Sequence, residues 1–206
     1  MKKLLSGLII LIVSCASNQV QFKETDSMTY LELGSYRLGI DKKFELMGKL
    51  DSDFQKENLD DVRASQIEST GYVFADLSQG RDSIKRGLVV YDNQLKDSQQ
   101  LWRNEISYKN TQVKGKVDSG YVTVGNVSMA YMILKANPAL DPTISQIITP
   151  KGSKIDKNLQ DQAHISMIYY AKLIDRSRNV VIIYIDGNEN TELAFNESLN
   201  YLTLDN

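Results

Sequence analysis

The strongest constraint on the fold comes late in the chain, where two apolar runs, residues 164–174 and 179–185, flank the polar stretch Asp175-Arg-Ser-Arg178. Short runs rich in Ile, Val and Tyr, broken by a few polar residues, describe a β-hairpin. The second run, Asn179-Val-Val-Ile-Ile-Tyr-Ile185, has no polar position after Asn179, so it must be shielded from water on both faces of a sheet. Beyond it, from near Asn190, Phe195, Leu199 and Leu202 recur at helical spacing, which predicts a C-terminal helix covering that strand.

Upstream, residues 30–40 read as a first strand interrupted by Gly34, and residues 71–77 and 87–92 as two strands joined by a polar loop. Residues 50–63 read as a surface helix, with Ser52 and Gln55 in capping-box spacing and a thin stripe of Phe54, Leu59 and Val62. Residues 101–108 alternate so that Trp102, Ile106 and Tyr108 share one face, the mark of a half-exposed strand. Residues 120–124 form another strand, but 127–136 fit two descriptions. Met129, Met132, Ile133 and Ala136 suit a helix, whereas a Gly125-Asn126 turn suits a hairpin. Pro138 and Pro142 end that segment, and residues 150–162 read as a long loop or weak helix. The expected architecture is a single α+β domain over residues 30–206, a mainly antiparallel twisted sheet packed by helices, with an all-β sandwich as the alternative. The order Tyr36-Arg-Leu-Gly-Ile40, then Phe44, then a late hairpin and helix resembles the PsbP/Mog1-type domain, which implies an α/β/α arrangement and carries no functional residue over.

The N-terminus is of another kind. Two lysines, an apolar run from Leu4 to Val13 and a small residue precede Cys15, the one cysteine of the chain. The apolar run is about half the ~20 residues that a membrane-spanning helix needs, so it reads as an export signal. Ile12-Val13-Ser14-Cys15 resembles the lipobox of bacterial lipoproteins. That resemblance implies cleavage after residue 14, acylation of Cys15 with palmitate among the chains, and anchorage in the cell envelope. Residues 15–29 then read as the acylated cysteine and a polar tether. Ala16, which is not aspartate, resembles the pattern sent to the outer membrane in diderm cells. Loss of Lys2 and Lys3 with the signal takes the net charge from −2 to −4, which disfavours nucleic acid as a partner.

Chemistry is sparsely marked. With one histidine and one cysteine, a zinc-type site is disfavoured and no cofactor is expected. His164 is the sole candidate histidine base, yet no Gly-x-Ser-x-Gly or Ser-x-x-Lys motif supplies a nucleophile. Residues 34–39 have phosphate-loop glycine spacing, but Ile40 stands where lysine is needed. Asp186, Asn188, Asn190 and Glu192 alternate as oxygen donors, and Glu197 falls at the twelfth position of an EF-hand count, which makes them a weak calcium candidate. Thr191 occupies the place of the required glycine, and a turn followed by an N-cap at Asn190 or Thr191 accounts for the same residues. Asp60 and Asp61 read as a solvated helix face. Trp102 and the eleven tyrosines suit protein or glycan surfaces, although most lie in strands where they serve as core.

The expectation is therefore a lipid-anchored envelope protein with no catalytic residues and a protein-binding or assembly role, its membrane contact made by N-terminal acyl chains and its partner another envelope protein. The alternative is a lipid-anchored binder of a small ligand or glycan, or a weakly marked envelope hydrolase. Cys15→Ser is expected to abolish metabolic palmitate labelling and move the protein out of the membrane fraction; a variant still found in membranes contradicts the lipobox reading.

Overall fold

The computed structural model describes residues 21–50, 67–80, 83–96, 113–137 and 164–206. In chain order these form β1 (Phe22–Glu24), β2 (Met28–Leu33), β3 (Tyr36–Asp41), β4 (Phe44–Leu50), β5 (Ile67–Asp76), β6 (Arg86–Leu95), β7 (Val113–Val124), β8 (Val127–Ala136), β9 (Ile165–Leu173), β10 (Arg178–Asp186), α1 (Thr191–Tyr201) and β11 (Leu202–Asp205). Every described strand pairing is antiparallel. Seven strands make a large sheet in the order β4-β5-β6-β10-β9-β8-β7, and four make a small one, β1-β2-β3-β11.

The late hairpin forms as its residues require: β9 pairs with β10, and β10 pairs on its other side with β6. β10 sends Val180, Ile182 and Tyr184 into one apolar layer and Ile183 and Ile185 into another, so it is buried on both faces. The first layer lies between the sheets, where Leu31, Leu33, Leu38 and Ile40 of the small sheet meet Tyr72, Leu88 and Val90 of the large one. The second, with Val89, Tyr91, Met167 and Tyr169, lies on the opposite face of the large sheet. Burial of each such side chain is worth about 1.5–3 kcal/mol.

The expected α+β fold is corrected. The described residues are mostly strand, with one short helix, and the two stacked antiparallel sheets stand nearer to the all-β alternative. Residues 127–136 are strand β8 rather than helix. Met129 and Ile133 face the layer between the sheets while Met132 and Ala136 face the other, so a strand with two apolar faces imitates helical spacing. The single strand expected over 30–40 is two, β2 and β3, reversed at Gly34 with φ +67°. Residues 22–24 and 28–29, expected to belong to the tether, are instead strand, in β1 and β2. Helix α1 forms near the expected place, but it packs on β8 and β9 through Phe195, which lies 4.8 Å from the Tyr131 ring, rather than chiefly on β10. Leu202, expected as a helical position, opens β11. The expected helix at 50–63, the strand at 101–108 and the segment 150–162 lie outside the described residues, as do residues 1–14 and Cys15.

Three tyrosines have a shared structural task. Tyr30, Tyr91 and Tyr131 sit directly across from Gly39, Gly71 and Gly120, and their rings occupy the space a side chain would fill there. A Cβ on those glycines would meet ring atoms at 2.9, 3.0 and 3.2 Å. The ring of one strand thus covers the bare backbone of the next.

Gly125 joins the two sheets. It adopts φ +62° in the β7–β8 turn, and a Cβ there would come within 2.6 Å of the Leu204 carbonyl oxygen and 2.7 Å of its nitrogen. The neighbouring Asn126 N–H donates to the same Leu204 carbonyl at 3.1 Å. Gly80 has a comparable φ of +89° but nothing within 4 Å. Both alanine variants should show the backbone penalty of about 1–2 kcal/mol, and Gly125→Ala a further loss of about 1–3 kcal/mol from overpacking. Chemical denaturation of the two variants measures the difference; equal losses contradict the sheet-to-turn contact.

Candidate functional site

The loop after β10, the weak calcium candidate, is held by a chain of side-chain caps. Asp186 Oδ1 accepts the Asn188 N–H at 2.9 Å, Asn188 Oδ1 accepts the Asn190 N–H at 2.9 Å, and Asn190 Oδ1 accepts the Leu193 N–H at 3.1 Å. Each oxygen thus serves the backbone two or three residues ahead, and the last step caps α1. The remaining Asp186 oxygen accepts from the Tyr184 hydroxyl at 2.8 Å and from Arg86 Nε at 3.0 Å. Arg86 Nη2 reaches Glu197 at 2.7 Å. Glu192 is exposed in the first turn of α1, where its charge suits the helix dipole. Four of the five candidate oxygen donors therefore already accept from protein groups. Among the described residues no cluster of three or more His, Cys, Asp or Glu is arranged to hold a metal.

Asp186 is 3% exposed, and these donors satisfy its buried oxygens. Burial alone would lower the Arg86 pKa, but the nearby Asp186, Tyr184 and Glu197 raise it above the ordinary guanidinium value. At the other end of β10, Arg178 grips Asp92 with two bonds of 2.7 Å, and its pKa is raised, first by that hydrogen bonding. On the outer face the Ser69 hydroxyl donates to Asn93 at 2.6 Å and Asn93 to Asn179 at 2.9 Å, a polar rung across β5, β6 and β10. These groups pin strands together. His164 is half-buried just ahead of β9, and among the described residues no hydrogen bond joins it to a serine hydroxyl or a carboxylate. Trp102, Tyr108, Asp60 and Asp61 lie outside the described residues.

The most open chemistry is on β7, which with β4 is one of the two edge strands of the large sheet among the described residues. Its two faces differ. Val122 and Val124 turn toward the layer between the sheets, as does Tyr131 on the neighbouring β8. The Tyr131 hydroxyl donates to Asp118 at 2.7 Å, which holds the Asp118 carboxyl below the ordinary range and pushes Tyr131 up. The opposite face presents Ser119, Tyr121 and Thr123, all exposed, with the exposed Ser128 paired to Thr123 on β8. Tyr121 is 68% exposed, the most open of the large apolar side chains described. It pairs with Ala130, whose small side chain leaves the ring free to lie open. The sequence carried this signal: Ser119, Tyr121 and Thr123 alternate with Gly120, Val122 and Val124, which puts that tyrosine on the polar side.

Comparison with protein-family models, with curated proteins and with solved structures finds no match for this chain.

Tyr170 and Tyr184 are expected to govern stability in alkali. Burial raises both pKa values well above the phenol range, and the adjacent Asp186 raises Tyr184 further. A raised folded value means a contribution fully present below the unfolded pKa of about 10 and lost as pH climbs above it toward the folded values. The last portion of phenolate absorbance should therefore appear together with loss of the β-sheet circular dichroism signal. Complete tyrosine ionisation with the fold intact contradicts this.

Proposed function

We propose that this chain is a lipid-anchored cell-envelope protein that binds a glycan on the β7–β8 hairpin. The observation that carries the reading is the Tyr121 ring, exposed and flanked by the hydroxyls of Ser119, Thr123 and Ser128. A sugar ring offers one apolar face and a rim of hydroxyls; an open aromatic ring with short hydroxyl side chains beside it matches both. The anchor comes from the lipobox-like Ile12–Cys15 sequence, and the binding surface from the described hairpin. No step of bond making is assigned to any residue. The hairpin is fixed before any ligand arrives, through Tyr131 across Gly120, its bond to Asp118 and its contact with Phe195.

A second reading, docking of an envelope protein, is favoured by the edge position of β7, whose outer side has no described strand beside it, and by Val117, 50% exposed. Two register shifts, between Val113 and Lys116 and between Lys116 and Asp118, interrupt the ladder with β8 and work against a long added strand. The glycan reading is accordingly the stronger one.

Full-length protein should be retarded on columns of cell-envelope polysaccharide or peptidoglycan fragments, and Tyr121→Ala should lose that retention by tenfold or more. Because the ring is exposed, the same variant should change stability by no more than about 0.5 kcal/mol. Undiminished retention in Tyr121→Ala removes the hairpin as the binding surface.

A further inference from the structure

The described strands divide the molecule into two ends. At one end lie the β2–β3 turn at Gly34 and the β9–β10 turn at Asp175 to Ser177; a Cβ on Gly34 would stand 3.3 Å from both Arg178 and Ile174. The start of β1 belongs to this end, since the Gln21 carbonyl accepts the Glu32 N–H at 3.2 Å, two residues from Gly34. At the other end β10 finishes at Asp186, against Arg86, with the Asn188–Asn190 caps beyond.

From these positions we infer that the protein is biased on the membrane, with the Gly34 and Asp175–Ser177 turns toward the lipid surface and the inverted pose, with the Asp186 loop beneath the domain, closed to it. The inference rests on the Cys15 anchor of the proposed function. Six residue steps separate Cys15 from Gln21. Fully extended, they span about 21 Å. From Arg178 to Asp186, β10 covers eight steps at about 3.3 Å each, or about 26 Å. The chain between the acylated cysteine and the sheet is thus shorter than the strand that separates the two ends, so the Gln21 end always stays within tether reach of the headgroups, and the domain cannot invert to stand on its Asp186 end while Cys15 is held there. Had the tether run to residue 29, as the sequence suggested, the reach would have exceeded the strand and either end could have met the bilayer. Through Ala130 and Ala171, Tyr121 is in register three residues from Ile174. Measured along the strand direction, that places the glycan-binding strip within about 10 Å of the level of the membrane-facing turns, on the flank of the domain, where a glycan rooted in or lying along the same membrane would pass.

The natural chain has no second cysteine, so an introduced one is the only free thiol once Cys15 is acylated. Arg176 and Glu189 are exposed at opposite ends. Full-length acylated Arg176→Cys and Glu189→Cys, purified from membranes and placed in dilute vesicles carrying a maleimide-headgroup lipid, would be followed by mass for the lipid adduct. Arg176→Cys is expected to react at least tenfold faster. Insertion of about twelve Gly and Ser residues after Ser17, enough to lift the limit on reach, should bring the Glu189→Cys rate up. Equal rates with the natural tether, faster reaction at Glu189→Cys, or no adduct at either position overturns the orientation while leaving the anchor in place. Absence of acyl chains from the purified protein overturns both.

Discussion

Strand β10 tolerates water on neither face, and the neighbours it therefore needs organise the molecule. Pairing with β6 brings in β5 and β4; pairing with β9 brings in β8 and β7. Its even positions, Val180, Ile182 and Tyr184, meet the small sheet, which exists as a lid for that side. Its two ends are marked by charge: Arg178 on Asp92 at one, Asp186 on Arg86 at the other. Placed at the strand ends, these ion pairs fix register where a slip would exchange the two faces.

How far this could be read in advance varied with locality. The β9–β10 hairpin was legible because its signal is contained in one stretch, apolar runs around Asp175-Arg-Ser-Arg178. β5 and β6 were legible for the same reason. β8 was not, since a strand covered on both sides loses the alternation that distinguishes it from a helix. Of the small sheet, β2 and β3 were visible only as one interrupted strand, while β1 is three residues of mixed polarity and β11 is specified by pairing with β3 far away along the chain. Nothing local in Leu202-Thr-Leu-Asp205 distinguishes a strand from a helix end.

The candidate sites follow the same division. Alternating Asp186, Asn188 and Asn190 can serve a cation or successive backbone amides, and the two uses share one sequence pattern; the spacing to the α1 N-terminus decides for the amides. Arg86, the cation that Asp186 faces, is 100 residues away and bore no mark of that role. The Tyr121 strip could have been found, because alternation with Val122 and Val124 assigns its face, yet its exposure depends on Ala130 across the ladder and on the edge position of β7.

The placement of β11 also bears on when the molecule can become itself. This strand completes the small sheet beside β3, and its Leu204 backbone receives the β7–β8 turn through Asn126. The first strands and the middle hairpin thus wait for residues made much later, and β6 likewise waits for β10, its partner in the middle of the large sheet. A chain wired in this way gains little from folding as it is made, since the loops that must close are long and the contacts that reward closure come late. If the proposed export signal is used, such wiring suits passage through a narrow channel, with the sheets closing once β11 has crossed.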